Sequence, residues 1–171
     1  MKLKLILSLF TLFLGFSAES FSQKPESGKL KVGTSKEPIN PPSSIFTSSN
    51  DISRRFSGIH DTLYVRSILV DNGIQKAALV ALDLSKVPGG EVFIEEVSKA
   101  TSIPKEFLYM SATHDHNTIQ VPANDTSSEY YQIIRNATIK SILDAKSKVK
   151  DAKMGYNTGK AYINTNRDEK I

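Results

Sequence analysis

The chain has 171 residues, a formal net charge of +4 and no cysteine. The absence of cysteine excludes a disulfide scaffold and any thiolate metal site, so a metal here would need imidazole and oxygen ligands. The basic residues are scattered along the chain rather than clustered on one stripe, which argues against a nucleic-acid-binding protein.

Residues 1–22 resemble a targeting segment. Lysines at positions 2 and 4 precede an apolar run, Leu5–Phe16, and small and polar residues follow it up to Gln23. This order predicts a secretory signal peptide and therefore a secreted or periplasmic product. An uncleaved membrane anchor is the alternative, but the apolar run is shorter than the ~20 residues that a span needs. About 150 residues remain, enough for one domain.

Residues 23–50 are rich in Pro, Ser, Lys and Asn. They are predicted to form a mostly irregular entry segment with one short strand, Leu30–Gly33. The hydrophobic pattern changes after this segment, so residues 51–171 are assigned to one folded unit.

Two apolar, β-branched runs, TLYVRSILV and QKAALVALDL, are joined through Asn72 and Gly73. An Asn-Gly pair between such runs predicts a hairpin with these two residues at the centre of the turn. That register places Thr62 opposite Asp83. Both faces of each run are mainly apolar, which predicts strands covered on both sides. Arg66, in the first run, is expected to pair with a carboxylate or a backbone carbonyl.

The next segment predicts a β-α-β crossover. Pro88-Gly89-Gly90 ends the second run, and apolar residues at helical spacing in EVFIEEVSKA predict an amphipathic helix over residues 91–100. The stretch EFLYMSATH then predicts a third strand, parallel to the strand before the helix.

A second helix is predicted to begin at Thr126, because Thr126 and Glu129 match a capping box. Its apolar stripe comprises Tyr130, Tyr131, Ile134, Ala137, Ile142, Ala145 and Val149. Together these elements predict an α/β fold: a mixed β-sheet with a hairpin and a β-α-β crossover and with helices packed on the sheet, forming a partial domain.

This topology brings all three histidines to one edge of the sheet. His60 precedes the hairpin, Asp83 ends its second strand, and His114 and His116 end the parallel third strand, so the four residues share the edge where α/β sheets place ligand sites. If both are extended, His114 and His116 point the same way and can share one zinc ion. The alternative is a loop that merely contains histidines. His60 and Asp83 are catalytic candidates. For His60 the alternatives are a third metal ligand and a hydrogen-bonding role beside the site. For Asp83 the alternative is a strand-end anchor.

Three stretches carry a resemblance to a known family. GIHDTLYVRSILVDNG, ALVALDLS and YMSATHDHNT, in this order and spacing, resemble the amino-terminal part of the neutral/alkaline, non-lysosomal ceramidases, including bacterial ceramidase-like members. The similarity extends over about residues 31–167. The chain departs from the family's G-T-H-T-H-S-G-P type of loop at Asp115 and at residues 117–120.

The resemblance implies a secreted, zinc-dependent amidase that hydrolyses the N-acyl bond of ceramide. It implies that His114 and His116 are zinc ligands and that the other ligands, a histidine, a glutamate and a tyrosine, belong to a later part of the family's chain. We therefore expect an amino-terminal fragment that is inactive alone, with a lipid or other amide as substrate and with transient contact to a membrane surface. Two alternatives stay open: a secreted, non-catalytic α/β binding module, and a metallohydrolase that acts on another amide or an ester.

Overall fold

The structure is a computed structural model that describes residues 28–48, 58–119, 121 and 125–161. The predicted signal peptide, residues 1–22, lies outside the described residues. Within the described part, no helix has both the length and the apolar character needed to cross a bilayer.

The described residues form one five-stranded sheet with helices packed on it. In chain order the elements are β1 (Lys31–Pro38), α1 (Ser43–Ser48), β2 (Tyr64–Asp71), β3 (Lys76–Leu82), α2 (Glu91–Thr101), β4 (Leu108–Ala112), α3 (Glu129–Ser147) and β5 (Lys150–Asp151). The strand order is β4-β3-β2-β1-β5, with β3 and β4 parallel and the other neighbours antiparallel. The predicted α/β fold, with its hairpin and its β-α-β crossover, is confirmed.

Strand β1 is longer than the predicted Leu30–Gly33. It pairs with β2 along its whole length, from Lys31 opposite Asp71 to Pro38 opposite Tyr64. The polar residues in its second half have a low β-propensity, which the pairing with β2 overrides.

The turn of the β2–β3 hairpin differs from the prediction by one residue. The backbone N–H of Asn72 donates to the carbonyl of Gln75 at 3.2 Å, so Gly73 and Ile74 are the central residues. Asn72 stands before the turn because its side-chain oxygen accepts from the N–H groups of Ile74 and Gln75, at 3.0 and 2.7 Å. Gly73 takes the positive φ, 85°, that this turn requires.

The shifted turn changes the register of the hairpin by two residues. The backbone N–H of Asp83 donates to the carbonyl of Tyr64 at 3.0 Å, so Tyr64, and not Thr62, faces Asp83. Because side chains alternate with a period of two, this shift leaves every side chain on its original face of the sheet.

One face of the sheet forms the core. Its buried side chains on β2 and β3 are Val65, Ser67, Leu69, Ala78, Val80 and Leu82. Helix α3 lies over this face, where the Ser141 hydroxyl donates to the Ser67 hydroxyl at 2.9 Å. Helix α2 packs beside α3 through Phe93 and Tyr131, whose rings meet edge to face at 5.8 Å.

The opposite face, called the outer face below, is exposed, so the prediction of strands covered on both sides was wrong. Ile68 and Leu79 are each 44% exposed, and Tyr109 is 67% exposed. Both long helices lie on the core face, and the apolar residues of the outer face meet no layer among the described residues.

The structure confirms most of the predicted helix faces. Helix α2 buries Phe93 and Val97, but Ala100, which follows at the same spacing, is exposed. On α3 the predicted stripe is buried at five positions and partly buried at Ala137, whereas Val149 packs on the core from beyond the helix, which ends at Ser147. The predicted start of α3 was two residues early. Ser128, and not Thr126, caps the helix, and its hydroxyl accepts from the Tyr131 N–H at 3.3 Å.

Candidate metal centre

The loop that carries His114 and His116 is fixed to the end of β3. Strand β4 ends at Ala112, but backbone pairing continues beyond it. The N–H of Thr113 donates to the carbonyl of Leu82 at 2.9 Å, and the N–H of Asp115 donates to the carbonyl of Leu84 at 3.2 Å. The histidine loop therefore has a defined position relative to the sheet.

The backbone of His114 is not extended, although the sequence-based prediction of a shared ion assumed that both histidines continue the strand. Its φ is 61°, in the left-handed region. Histidine tolerates this region better than a β-branched residue does, but a non-glycine residue there still costs about 1–3 kcal/mol. The two rings therefore meet because the chain turns at His114, and not because residues two apart in a strand point to the same side.

The two imidazoles face each other through the same ring atom. The Nε2 atoms of His114 and His116 are 3.0 Å apart, and the rings are nearly perpendicular, at 76°. Two nitrogens bound tetrahedrally to zinc at ~2.0–2.1 Å would be about 3.3 Å apart. The observed separation is within a few tenths of an ångström of that value, so the distance between the two nitrogens is compatible with one shared ion.

A backbone contact fixes the tautomer of His114. Its Nδ1 lies 2.9 Å from the carbonyl oxygen of Ser85. A carbonyl can only accept, so Nδ1 carries the proton and the Nε2 lone pair points towards His116. Metal-binding histidines commonly donate their other N–H to a carbonyl in this way.

The loop residue between the histidines makes a local turn. One carboxylate oxygen of Asp115 accepts from the Asn117 N–H at 2.8 Å, and the Thr118 hydroxyl donates to the Asp115 carbonyl at 3.0 Å. These bonds hold the chain in a tight turn around His116.

His60 is next to the histidine loop but outside the pair. With Asp61 it lines a cavity of about 350 Å³, whose other wall includes Asp115 and Asn117. The His60 ring lies 3.0 Å from the Asp61 carboxylate, and both side chains are more than nine-tenths exposed, at 97% and 91%. Among the described residues no group of three or more His, Cys, Asp or Glu side chains is placed to hold a metal, so His60 does not complete the site.

Asp83 stabilises the open end of the hairpin. Its Oδ2 accepts from the Tyr64 N–H at 3.0 Å and from Nη1 of Arg66 at 2.7 Å. The prediction that Arg66 pairs with a carboxylate is confirmed. These two contacts give Asp83 a structural role at the sheet edge.

Ser85 was not predicted as a site residue, because it contributes a backbone carbonyl and not a side chain. The only signal available was its position two residues beyond Asp83, at the same strand end. To place Ser85 beside His114, the pairing of β3 with β4 would have had to be predicted to the exact residue.

The fold is similar to that of solved ceramidases. A structure described as neutral ceramidase from Pseudomonas aeruginosa aligns with a TM-score of 0.55 at 14% identity, over 72% of this chain and 22% of that chain. A second structure, described as ceramidase complexed with C2, aligns with a TM-score of 0.53 at 14% identity and with the same coverage. The chain shares a ceramidase-like fold.

The similarity is one of structure. No family model matches the sequence, and no curated protein sequence matches it. At this identity the comparison establishes the fold, and the aligned region spans only about a fifth of each ceramidase chain.

Proposed function

We propose that the chain is the amino-terminal part of a secreted, zinc-dependent amidohydrolase of the neutral ceramidase type. The observation that carries the proposal is the pair of Nε2 atoms on His114 and His116, 3.0 Å apart, with the His114 tautomer set by Ser85. The shared fold supports this choice of enzyme class.

The pair provides a part of a catalytic site. A catalytic zinc has three protein ligands and one open position for water or substrate. The zinc acts as a Lewis acid and lowers the pKa of a water molecule bound at that position. In this chain His114 and His116 would hold the ion, and the Ser85 carbonyl would keep the first ring in the binding tautomer. We infer that a third ligand comes from polypeptide beyond the described residues, and that the chain is inactive without it.

The cavity beside the pair would hold the substrate. Its lining combines the apolar side chains of Leu63 and Ile119 with the polar side chains of His60, Asp115 and Asn117. An amide with an apolar chain fits this mixture, since a few polar groups in an apolar pocket orient a ligand.

The polar half of the cavity favours a second candidate function within the same chemistry. Asp115 and Asn117 bring a carboxylate and an amide to the place where a lipid headgroup or a more polar substrate would lie. The second candidate is therefore a zinc hydrolase that acts on a more polar amide or an ester.

Hydrolysis assays test both candidates. Short- and long-chain ceramides and simple N-acyl amides and esters would be offered to the chain and to any longer polypeptide that its gene encodes. We expect zinc-dependent release of fatty acid from ceramide by the longer form, lost in His114→Ala and His116→Ala. Preference for the small amides or esters would select the second candidate. Turnover that survives both substitutions would contradict the proposal.

A further inference from the structure

The carbonyl that orients His114 belongs to a segment outside the strand pairing. Residues 85–89, called the linking segment below, connect the end of β3 with α2 and belong to no strand or helix. Just before this segment, the carbonyl of Leu84 accepts from the Asp115 N–H of the histidine loop. Because no strand ladder runs along the linking segment, the position of the Ser85 carbonyl depends on how the segment packs against the rest of the fold.

Gly89, at the far end of the linking segment, lies against a buried tyrosine. A Cβ atom at Gly89 would be 3.0 Å from Cε2 of Tyr131 and 3.3 Å from its hydroxyl oxygen. Gly89 also has a φ of 65°, in the left-handed region that favours glycine. The backbone of the segment therefore lies closer to the Tyr131 ring than a side chain at this position would allow.

The Tyr131 ring is held by neighbours other than Gly89. The ring is fully buried and meets Phe93 edge to face at 5.8 Å. Its hydroxyl donates to Oε2 of Glu96 at 2.8 Å, and the same carboxylate oxygen lies 2.9 Å from Nε of Arg135. Because protein interiors are close-packed, a ring fixed in this way is a rigid support for the backbone that lies against it.

We propose that Gly89 and Tyr131 are positioning residues of the candidate metal centre. The contact between them holds one end of the linking segment and Leu84 holds the other, so the Ser85 carbonyl stays 2.9 Å from Nδ1 of His114. A side chain on α3 thereby sets the tautomer of a histidine in a different loop. The effect on zinc binding rests on the proposed function, whereas the effect on the tautomer concerns the metal-free chain.

The neighbouring glycine provides a matched control. Gly90 has a similar positive φ, 56°, but a Cβ atom there would meet nothing within 4 Å. Alanine at either position imposes a similar backbone strain, and only Gly89→Ala adds a close contact with Tyr131. If Gly89 served only the turn into α2, the two substitutions would have the same effect.

The tautomer of His114 is the first readout, because a loss of stability alone does not change it. Long-range proton–nitrogen correlation spectra of the metal-free chain would be recorded for each protein, with circular dichroism to verify folding. We expect the proton on Nδ1 in the wild type and in Gly90→Ala, and a mixture of both tautomers in Gly89→Ala. Zinc binding should weaken about tenfold or more in Gly89→Ala alone, since loss of a ligand's supporting contact costs 10–100-fold.

A second pair of variants tests the same contact from the side of the tyrosine. Tyr131→Phe keeps a ring against Gly89, whereas Tyr131→Leu removes it. We expect the wild-type tautomer of His114 in Tyr131→Phe and a mixture of tautomers in Tyr131→Leu. This pair decides the question if Gly89→Ala does not fold.

Two results would overturn the proposal. One is a proton that stays on Nδ1 of His114 in both Gly89→Ala and Tyr131→Leu. The other is the same mixture of tautomers in Gly89→Ala and Gly90→Ala. Failure of the proposed function is a separate result: a wild type that binds no zinc, while Gly89→Ala still changes the tautomer, would contradict the metal centre and support the positioning role.

Discussion

The ring of His114 donates a hydrogen bond from Nδ1 to the backbone carbonyl of Ser85, at 2.9 Å. This contact joins the loop after β4 to the segment after β3. It leaves the Nε2 lone pair of His114 directed at His116, 3.0 Å away. The parallel pairing of β3 and β4 thus brings the Ser85 carbonyl to His114, and the carbonyl sets the tautomer of the His114 ring.

The first prediction concerns that tautomer. In the metal-free chain we expect His114 to carry its proton on Nδ1, because the Ser85 carbonyl can only accept. Long-range proton–nitrogen correlation spectra would identify the protonated nitrogen. A ring that carries its proton on Nε2 alone would contradict the contact.

Asp83 supports a second prediction, on stability. Asp83→Ala removes the acceptor for the Tyr64 N–H and for Arg66, so we expect a loss of about 1–3 kcal/mol in the free energy of unfolding. Arg66→Ala should cost less, since the Arg66 side chain is half exposed. Urea denaturation measures both changes. If Asp83→Ala instead kept full stability and lost zinc binding, Asp83 would belong to the metal centre.

Gly33 is the subject of the third prediction. A Cβ atom at Gly33 would lie 1.9 Å from the backbone carbonyl oxygen of Ala145, so β1 and α3 could not keep their present distance. We expect Gly33→Ala to lower the free energy of unfolding by about 1–3 kcal/mol. Gly155→Ala is the control, because a Cβ atom there meets nothing within 4 Å. Equal melting temperatures for the two variants would contradict this packing.

The fourth prediction is a loss of stability at alkaline pH. Burial and the adjacent Glu96 carboxylate raise the pKa of Tyr131 from 10.0 to about 12, and burial raises the pKa of Tyr130 as well. The folded chain therefore keeps these phenol protons after the unfolded chain has lost them. The contribution of Tyr131 is complete below pH 10 and falls as the pH rises from 10 through about 12.

Comparison with Tyr131→Phe isolates this effect. Lys140 also has a raised pKa, owing to Asp144 and Glu37, and loses stabilisation in the same pH range, but it is present in both proteins. Urea midpoints between pH 8 and 12 should fall more steeply in the wild type than in the variant. Parallel curves would show that the Tyr131 phenol does not titrate with a raised pKa.

Sequence patterns predicted the elements of this fold better than their boundaries. The apolar spacing of α3 and the order strand, helix, strand are strong signals because burial determines them. The predicted hairpin turn was displaced by one residue, because the Asn72 side chain accepts a hydrogen bond from the Gln75 N–H and so stands before the turn. The predicted cap of α3 was displaced by two residues, because the Ser128 hydroxyl, and not that of Thr126, accepts from a backbone N–H of the first helical turn. Competing local hydrogen bonds of this kind have no clear ranking in the sequence.

The candidate site was only partly accessible to sequence reasoning. The approach of two parallel strand ends placed His114 beside the end of β3, which the structure bears out in the Ser85 contact. The left-handed turn at His114 was not predicted, because nothing in the loop demands a positive φ at a histidine. The exposure of Ile68 and Leu79 was also missed, since an apolar strand face has the same sequence whether or not a second layer covers it.

Zinc titration of the purified chain tests the central claim most directly. Calorimetry would compare the wild type with His114→Ala, His116→Ala and, as the matched control, His60→Ala. We predict weak binding of one zinc ion that His60→Ala leaves unchanged and that either loop substitution weakens about tenfold or more, since even loss of a ligand's supporting contact costs 10–100-fold. Equal zinc affinity in all four proteins would contradict a metal centre at His114 and His116.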